Sequence, residues 1–286
     1  MTNNVLPIFD THAHLNLLLD EIGGAPESKK QKLIKRLETG RFPKDFVLPE
    51  LNGRSIQMTG VVLPGTNAAS SCRCIELAAE SQLFHAAVGI HPNGFEHLND
   101  AEWKEIETLA ERSDAAAIGE TGLDLYHDKT PLSVQIEYLE RHFALSAKTG
   151  KAVIVHCRDA WESMQPLLEK WAQHLPKVVI HAFSDSPEYA KFCVQKGFYV
   201  SFAGSLTYRN VKFAPLWESC KVVPLEQLLV ETDSPFLVPH PFRGRLECNE
   251  PTLSAAVVFR LAELRCEDAE VISERTSQNA KRLFVR

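Results

Sequence analysis

Short apolar runs alternate with longer amphipathic stretches from one end of the chain to the other. Eight runs predict strands: Leu6–His12, Gly60–Pro64, Phe84–Ile90, Ala115–Glu120, Ala152–Cys157, Val178–Ala182, Phe198–Phe202 and Leu228–Thr232. Most are rich in Val and Ile without polar alternation, as expected of strands covered by helices. The intervening stretches predict helices such as Ala101–Arg112, Pro131–Thr149, Ala160–His174 and Pro187–Lys196. Gly150 and Gly197 are placed to end two of these, and Pro187 to open one. Helices Thr252–Leu264 and Asp268–Leu283 close the chain. Eight strands mostly separated by helices predict a single α/β domain over residues 1–286, a (β/α)₈ TIM-type barrel. An open doubly wound sheet shares that strand count. No internal repeat, low-complexity tract or flexible linker interrupts the pattern.

One segment breaks the alternation. About forty-five residues separate His14 from Gly60, far more than a βα unit needs. Within this excursion (about residues 20–57), Lys29–Glu38 predicts a short charged helix, and Phe42–Ile56 carries two prolines and reads as irregular. Following the first strand, it is expected over the C-terminal face of the barrel. A lid, a surface for a protein partner and a plain surface loop are all compatible with it.

Composition adds little to the fold but bounds the function. Apolar content of 44% and charged content of 24% are ordinary for a globular chain. No apolar run reaches the ~20 residues of a membrane-spanning helix. Met1–Leu6 lacks the basic flank and apolar core of a secretory signal. The seven cysteines are scattered and odd in number, which suggests reduced thiols and a cytoplasmic setting. Cys72 and Cys74 have no matching second pair and read as part of a helix rather than a metal site. A net charge of −6 argues against gripping duplex nucleic acid by electrostatics alone. Any nucleic-acid binding must be local, and bound cations can supply local positive charge.

The chemistry lies at the ends of the apolar runs. Asp10-Thr11-His12-Ala13-His14 puts two imidazoles on one face of a strand end, a natural metal chelate. Glu120, His156, His181 and Asp233 each follow a further apolar run at its C-terminal end. In a (β/α)₈ barrel those ends converge on one mouth, where active sites of this fold sit. Five strands thus bring four imidazoles and two carboxylates together, which predicts a metal centre. Six ligands exceed the needs of one tetrahedral zinc and suit two divalent ions, with Glu120 as the bridge. Mg, Mn and Zn all accept this mixture of donors. Asp233 can both ligate and take a proton from water, so Asp233 and Glu120 are the candidate catalytic carboxylates. Glu231 and Asp10 share one ambiguity, since each can orient a ligand or serve as a buried paired carboxylate.

Taken together, six motifs resemble the TatD family of metal-dependent deoxyribonucleases, within the amidohydrolase-like barrels. They are Phe9-Asp10-Thr11-His12-Ala13-His14, Gly89-Ile90-His91-Pro92, Gly119-Glu120-Thr121-Gly122-Leu123-Asp124, Val155-His156-Cys157-Arg158, His181-Ala182-Phe183-Ser184 and Glu231-Thr232-Asp233-Ser234-Pro235. Asn249-Glu250-Pro251 is similar to a further signature of that family. The resemblance spans the chain apart from the excursion after His14. It implies one metal on His12, His14, Glu120 and Asp233 and a second on Glu120, His156 and His181. It also implies 3′-end-directed exonuclease action on DNA, with single strands or 3′ ends as substrate and a metal-bound water as nucleophile. His91 and Arg158 would then contact phosphate. Three departures bear on substrate rather than on the ligands. Asn93 stands where the family often has histidine, Ser184-Asp185 follows Phe183 where glycine is common, and the excursion after His14 is long. Asp185 would add negative charge near the expected phosphate.

Among the residues flanking strand ends, Tyr126 is a candidate base-stacking ring and Arg209 a further candidate phosphate contact. His127 follows the fourth strand but shows no ligand spacing. Rival functions share parts of this pattern. Amidohydrolase-like enzymes acting on a small phosphoester, lactone or amide often bridge their metals with a carboxylated lysine, where this chain has Glu120; Lys151 lies at the opposite end of its strand. Deacylation or deamination of a nucleotide-like substrate would use the same activated water. A partner-binding scaffold would be expected to have lost ligands, and all six are present.

Overall fold

The computed structural model describes residues 5–21, 25–97, 100–127 and 129–285. Eight strands form one parallel sheet in sequential order: β1 (Val5–Asp10), β2 (Ser55–Pro64), β3 (Phe84–Val88), β4 (Ala115–Asp124), β5 (Ala152–Arg158), β6 (Val178–Ile180), β7 (Tyr199–Phe202) and β8 (Leu228–Val230). Hydrogen bonds from Thr11 N to the Val230 carbonyl (3.1 Å) and from Asp233 N to the His12 carbonyl (2.8 Å) close the seam between β8 and β1. The sheet is therefore a TIM-type barrel, as the spacing of the apolar runs predicts.

The helices are α1 (Leu15–Glu21), α2 (Pro26–Glu38), α3 (Ala68–Ala78), α4 (Asp100–Glu111), α5 (Leu132–Thr149), α6 (Trp161–Trp171), α7 (Pro187–Gln195), α8 (Ala214–Val222), α9 (Ser254–Arg265) and α10 (Ala269–Phe284). Local chemistry sets several of their ends. Asn67 accepts from Ser70 N at the start of α3, and Gly150 ends α5 in the left-handed conformation. Cys72 and Cys74 lie within α3, and all seven cysteines are free thiols.

Every strand contributes to an inner cluster comprising Phe9, Val62, Ala87, Ala117, Ala152, Ile154, Val179, Tyr199 and Leu229. Ala280, Leu283 and Phe284 of α10 belong to the same cluster, so this helix plugs the lower end of the barrel. Ser273 and Ser277 of α10 anchor it by donating to the Pro7 carbonyl. Above the apolar layer the interior becomes polar. The Thr11 hydroxyl lies 2.9 Å from Ser201 Oγ and donates to Glu231 Oε2 at 3.4 Å.

Two details differ from the sequence pattern. First, the described residues of the excursion after β1 lie beside the barrel and not over the mouth as a lid. Its helix α2 lies against the barrel wall, with Leu33 and Leu37 buried in the outer core and Phe42, Leu48 and Leu51 following them. None of the excursion's described residues lines the mouth cavity, and Leu17, just ahead of it in α1, does. Arg36 of α2 makes two hydrogen bonds to the buried Glu250 carboxylate, at 2.8 and 2.7 Å, and so ties the excursion to the Asn249-Glu250-Pro251 segment.

Second, β4 does not stop at Glu120. It continues to Asp124 after a bulge: Ile118 pairs with Val153 and Thr121 with Val155, so one extra residue is accommodated on β4. Gly119, at φ +127°, supplies the conformation that this bulge requires.

Candidate metal centre at the barrel mouth

The residues singled out by the strand-end pattern meet at one place. β1 ends at Asp10, so His12 and His14 sit on the loop beyond it rather than on the strand itself. That loop is fixed from both sides. His12 N donates to Asp10 Oδ1, and His14 N donates to the Ser234 carbonyl at 2.8 Å. Asp10 also accepts from Thr232 N at 2.9 Å and from the Thr232 hydroxyl at 2.5 Å. Asp10 therefore staples the ends of β1 and β8 and does not reach the cluster itself. Burial pushes its carboxyl well above the usual range.

His12 Nε2 and His14 Nε2 face each other at 3.3 Å. Glu120 approaches both, with 3.4 Å from Oε2 to His12 and 3.4 Å from Oε1 to His14. Asp233 Oδ1 lies 3.5 Å from His14 Nε2 and 3.8 Å from His12 Nε2. On the other side of Glu120, Oε2 lies 3.0 Å from His181 Nε2 and 3.8 Å from His156 Nδ1, and those two nitrogens are 3.0 Å apart. Glu120 is thus common to two groups of converging donors. Asp233 reaches the first group from a left-handed backbone conformation at φ +57°.

The electrostatics follow from burying so many titratable groups together. Burial opposes ionisation of Glu120, but the surrounding imidazoles, His12 foremost, hold it well below the ordinary carboxylate range. Burial works against the positive charge of His181, yet Glu120 and then Glu231 raise it well above the usual histidine value. Burial lowers His12, and the neighbouring His181 lowers it further. Asp233 is held low by its hydrogen bond with His14 in spite of burial. The buried carboxylates therefore require positive charge at this spot, either as imidazolium protons or as cations. Imidazole nitrogens facing one another beside carboxylate oxygens are the donor set of a divalent metal site. His12, His14 and Glu120 could hold one ion, with Asp233 at its side, and Glu120, His156 and His181 a second.

One carboxylate at this site carries no role in the strand-end pattern. Asp124, fully buried at the true end of β4, accepts at Oδ2 from His156 Nε2 (3.2 Å), Asn93 Nδ2 (3.0 Å) and His127 Nδ1 (2.7 Å). Its Oδ1 accepts from Tyr126 N and His127 N. Burial opposes its ionisation, and the hydrogen bonds from His156 and His127 hold it below the carboxylate range. Asp124 thereby fixes the tautomer of His156, leaving Nδ1 as the lone-pair atom turned toward Glu120 and His181. Glu231 stands in the same relation to His181: its Oε1 lies 3.4 Å from Nδ1 and accepts from Ala182 N at 2.6 Å. The signal for Asp124 was its position four residues after Glu120, an even separation along a strand that is regular from Thr121 onward.

A cavity of about 820 Å³ opens above the cluster. His91 and Arg158 line it, as the motifs suggest. His91 is pushed down to about 3, chiefly by burial, and its ring packs against His156 at 4.6 Å. It is therefore a neutral group. Asn93 and His127 also line the cavity, both held by Asp124. Tyr126 and Arg209 do not line it. Tyr126 stands outside the rim, 60% exposed, with the Arg158 guanidinium 4.2 Å above its ring. Arg209 points to solvent, and Lys212 of the same loop takes the lining position. Asp185 does not line the cavity either; it accepts from Ser186 N at the start of α7. Among the described residues, no helix is long and apolar enough to cross a membrane.

Similar proteins place the chain in a family. The TatD related DNase family model matches residues 9–285. A protein of Bacillus subtilis described as an uncharacterized metal-dependent hydrolase, YabD, is 32% identical, with 97% of this chain and 98% of the relative covered. A 3′-5′ ssDNA/RNA exonuclease TatD of Edwardsiella piscicida is 30% identical, with 87% of this chain and 96% of the relative covered. The crystal structure of an Escherichia coli TatD homologue, YJJV, superposes with a TM-score of 0.80 at 27% identity, covering 99% of each chain. The match extends through every strand that carries a donor of the cluster, and the chain belongs to the TatD-related family of metal-dependent hydrolases.

Proposed function

We propose that this hydrolase is a 3′–5′ exonuclease acting on the phosphodiester bonds of single-stranded DNA, with two divalent ions at the mouth of the barrel. The observation that carries the proposal is the pair of donor groups sharing Glu120 beneath an open cavity of about 820 Å³. Relatives named as ssDNA/RNA exonucleases support the substrate class.

Two ions held by His12, His14, Glu120 and Asp233 and by Glu120, His156 and His181 would supply Lewis acidity and a low-pKa water. The remaining work belongs to the protein. Asp233, held as a carboxylate, accepts the proton of the attacking water through an oxygen at the cavity floor. Asp124 and Glu231 hold the His156 and His181 rings in one tautomer and orientation. Arg158 offers its planar fork of donors to a phosphate, and neutral His91 offers a hydrogen bond.

The test follows the trimming of 5′-labelled single-stranded DNA in Mg²⁺ or Mn²⁺ by wild type and by Asp233→Asn. Wild type should shorten the strand one nucleotide at a time from the 3′ end. The variant should lose at least ~10²-fold in rate, because the amide cannot take the proton. A folded, metal-loaded wild type that leaves the strand intact would refute the nuclease proposal and favour a small phosphoester or amide substrate.

A further inference from the structure

The chain carries a net charge of −6, yet two loops beside the metal centre contain no acidic residue. Residues 189–217, which include β7 and the loop after it, have no Asp or Glu, and neither do residues 234–246 after β8. The two loops pack into one wall. His240 N donates to Thr207 Oγ1 at 2.7 Å, and Gly204 lies so close to the Leu237 carbonyl that a Cβ would collide with it. Arg209, Lys212 and Arg243 are exposed on this wall, and none is paired with a carboxylate among the described side chains.

Aromatic rings alternate with these cations. Arg243 lies 4.2 Å over the Tyr208 ring, and Lys212 lies 5.1 Å from the centre of the Phe213 ring. Phe236 is 52% exposed and sits at the edge of the cluster, 6.2 Å from the His14 ring. Tyr208, Lys212, Phe213 and Phe236 all line the cavity. Unpaired cations interleaved with aromatic faces match a single polynucleotide strand, whose phosphates need charge and whose bases need flat apolar partners. The facing wall matches it less well, since Asp159 stands there beside Arg158.

We propose that the strand leaves the metal centre across this wall, with its phosphates on Lys212 and Arg243 and its bases against Phe236 and Phe213. The proposal rests on the nuclease activity proposed above and adds the path of the polymer. It also reconciles an acidic protein with a polyanionic substrate, because the segments that build this wall carry cations and no Asp or Glu.

The experiment measures binding to Mn²⁺-loaded protein of fluorescein-labelled dT12 and dT3 carrying 3′-terminal phosphorothioate linkages, by anisotropy across a salt series. Wild type should bind dT12 more tightly than dT3. Lys212→Gln/Arg243→Gln should lose most of that advantage, on the order of tenfold at low salt. The slope of log affinity against log salt should fall by about 1.4, from two contacts at about 0.7 each on a single strand. Lys212→Arg/Arg243→Lys keeps both charges and should retain the wild-type slope, which separates charge from folding. An unchanged slope in the Gln variant, or equal binding of dT3 and dT12 by wild type, would overturn the path. A polyglutamate peptide that competes as well as dT12 would overturn the polynucleotide assignment in favour of an acidic protein partner. Trimming of unmodified dT12 by wild type is read in parallel. Trimming with an unchanged slope removes the path and leaves the nuclease, whereas no trimming removes the nuclease itself.

Discussion

At the residue scale, the orientation of two donors is set by buried carboxylates behind them, Asp124 for His156 and Glu231 for His181. His156 presents Nδ1 to the centre because Asp124 accepts a hydrogen bond from its Nε2–H, and Asp124 also holds Asn93 and His127. Asn93 donates to Asp124 Oδ2 at 3.0 Å and so helps to satisfy this carboxylate. Asp124→Ala removes the acceptor and frees the ring to turn. Metal affinity, read by calorimetric titration with Mn²⁺ or Zn²⁺, should fall by about 10–100-fold. Asp124→Asn keeps one carbonyl oxygen as acceptor and should fall between wild type and alanine. Equal affinity in all three proteins would show that His156 is oriented without Asp124.

At the element scale, the fourth strand and the excursion after the first depart most from a regular barrel. The bulge at Gly119-Glu120 turns Glu120 toward both donor groups and lets β4 run on to Asp124. A period-two reading of an apolar run ends at the first charged residue, so Ala115–Glu120 was legible and the last turn of the strand was not. The same limit applies to β1, which ends at Asp10, so that His12 and His14 are placed by loop hydrogen bonds rather than by strand alternation. The charged stretch Lys29–Glu38 does form a helix, but its partner, Glu250, lies more than two hundred residues away. Arg36→Ala would leave that buried carboxylate unpaired and should lower unfolding stability in urea by about 3 kcal/mol. Arg36→Lys should recover only part of the loss, because a lysine cannot make the two-pronged contact.

At the scale of the whole molecule, burying several carboxylates and imidazoles in one mouth couples cation binding to folding. Any ion that binds the folded barrel and not the unfolded chain stabilises it, by about 2.7 kcal/mol at a hundredfold excess over its dissociation constant. Protein stripped with a chelator should therefore melt at a lower temperature, and Mn²⁺ should restore the melting point in a concentration-dependent way. In Glu120→Gln that response should be largely lost, since Glu120 belongs to both donor groups. A melting temperature indifferent to chelator and to added ion would count against a resident metal. The cluster sits at one end of the barrel and α10 plugs the other, so metal response and the packing of the lower core should vary independently.

The sequence by itself determined the eight strands and the polar residues at their C-terminal ends, because local periodicity leaves few alternatives for such a pattern, while the sequential order and the closure of β8 on β1 were decided by the tertiary structure. It also identified the six converging donors, since each follows its own apolar run. Only the tertiary structure decided which nitrogen of each imidazole faces the centre, that Asp124 joins the site, and that Tyr126 and Arg209 stand outside the cavity while Lys212 lines it. These depend on a one-residue bulge, on loop hydrogen bonds and on contacts between segments far apart in the chain. None of them leaves a mark in the local alternation of apolar and polar residues.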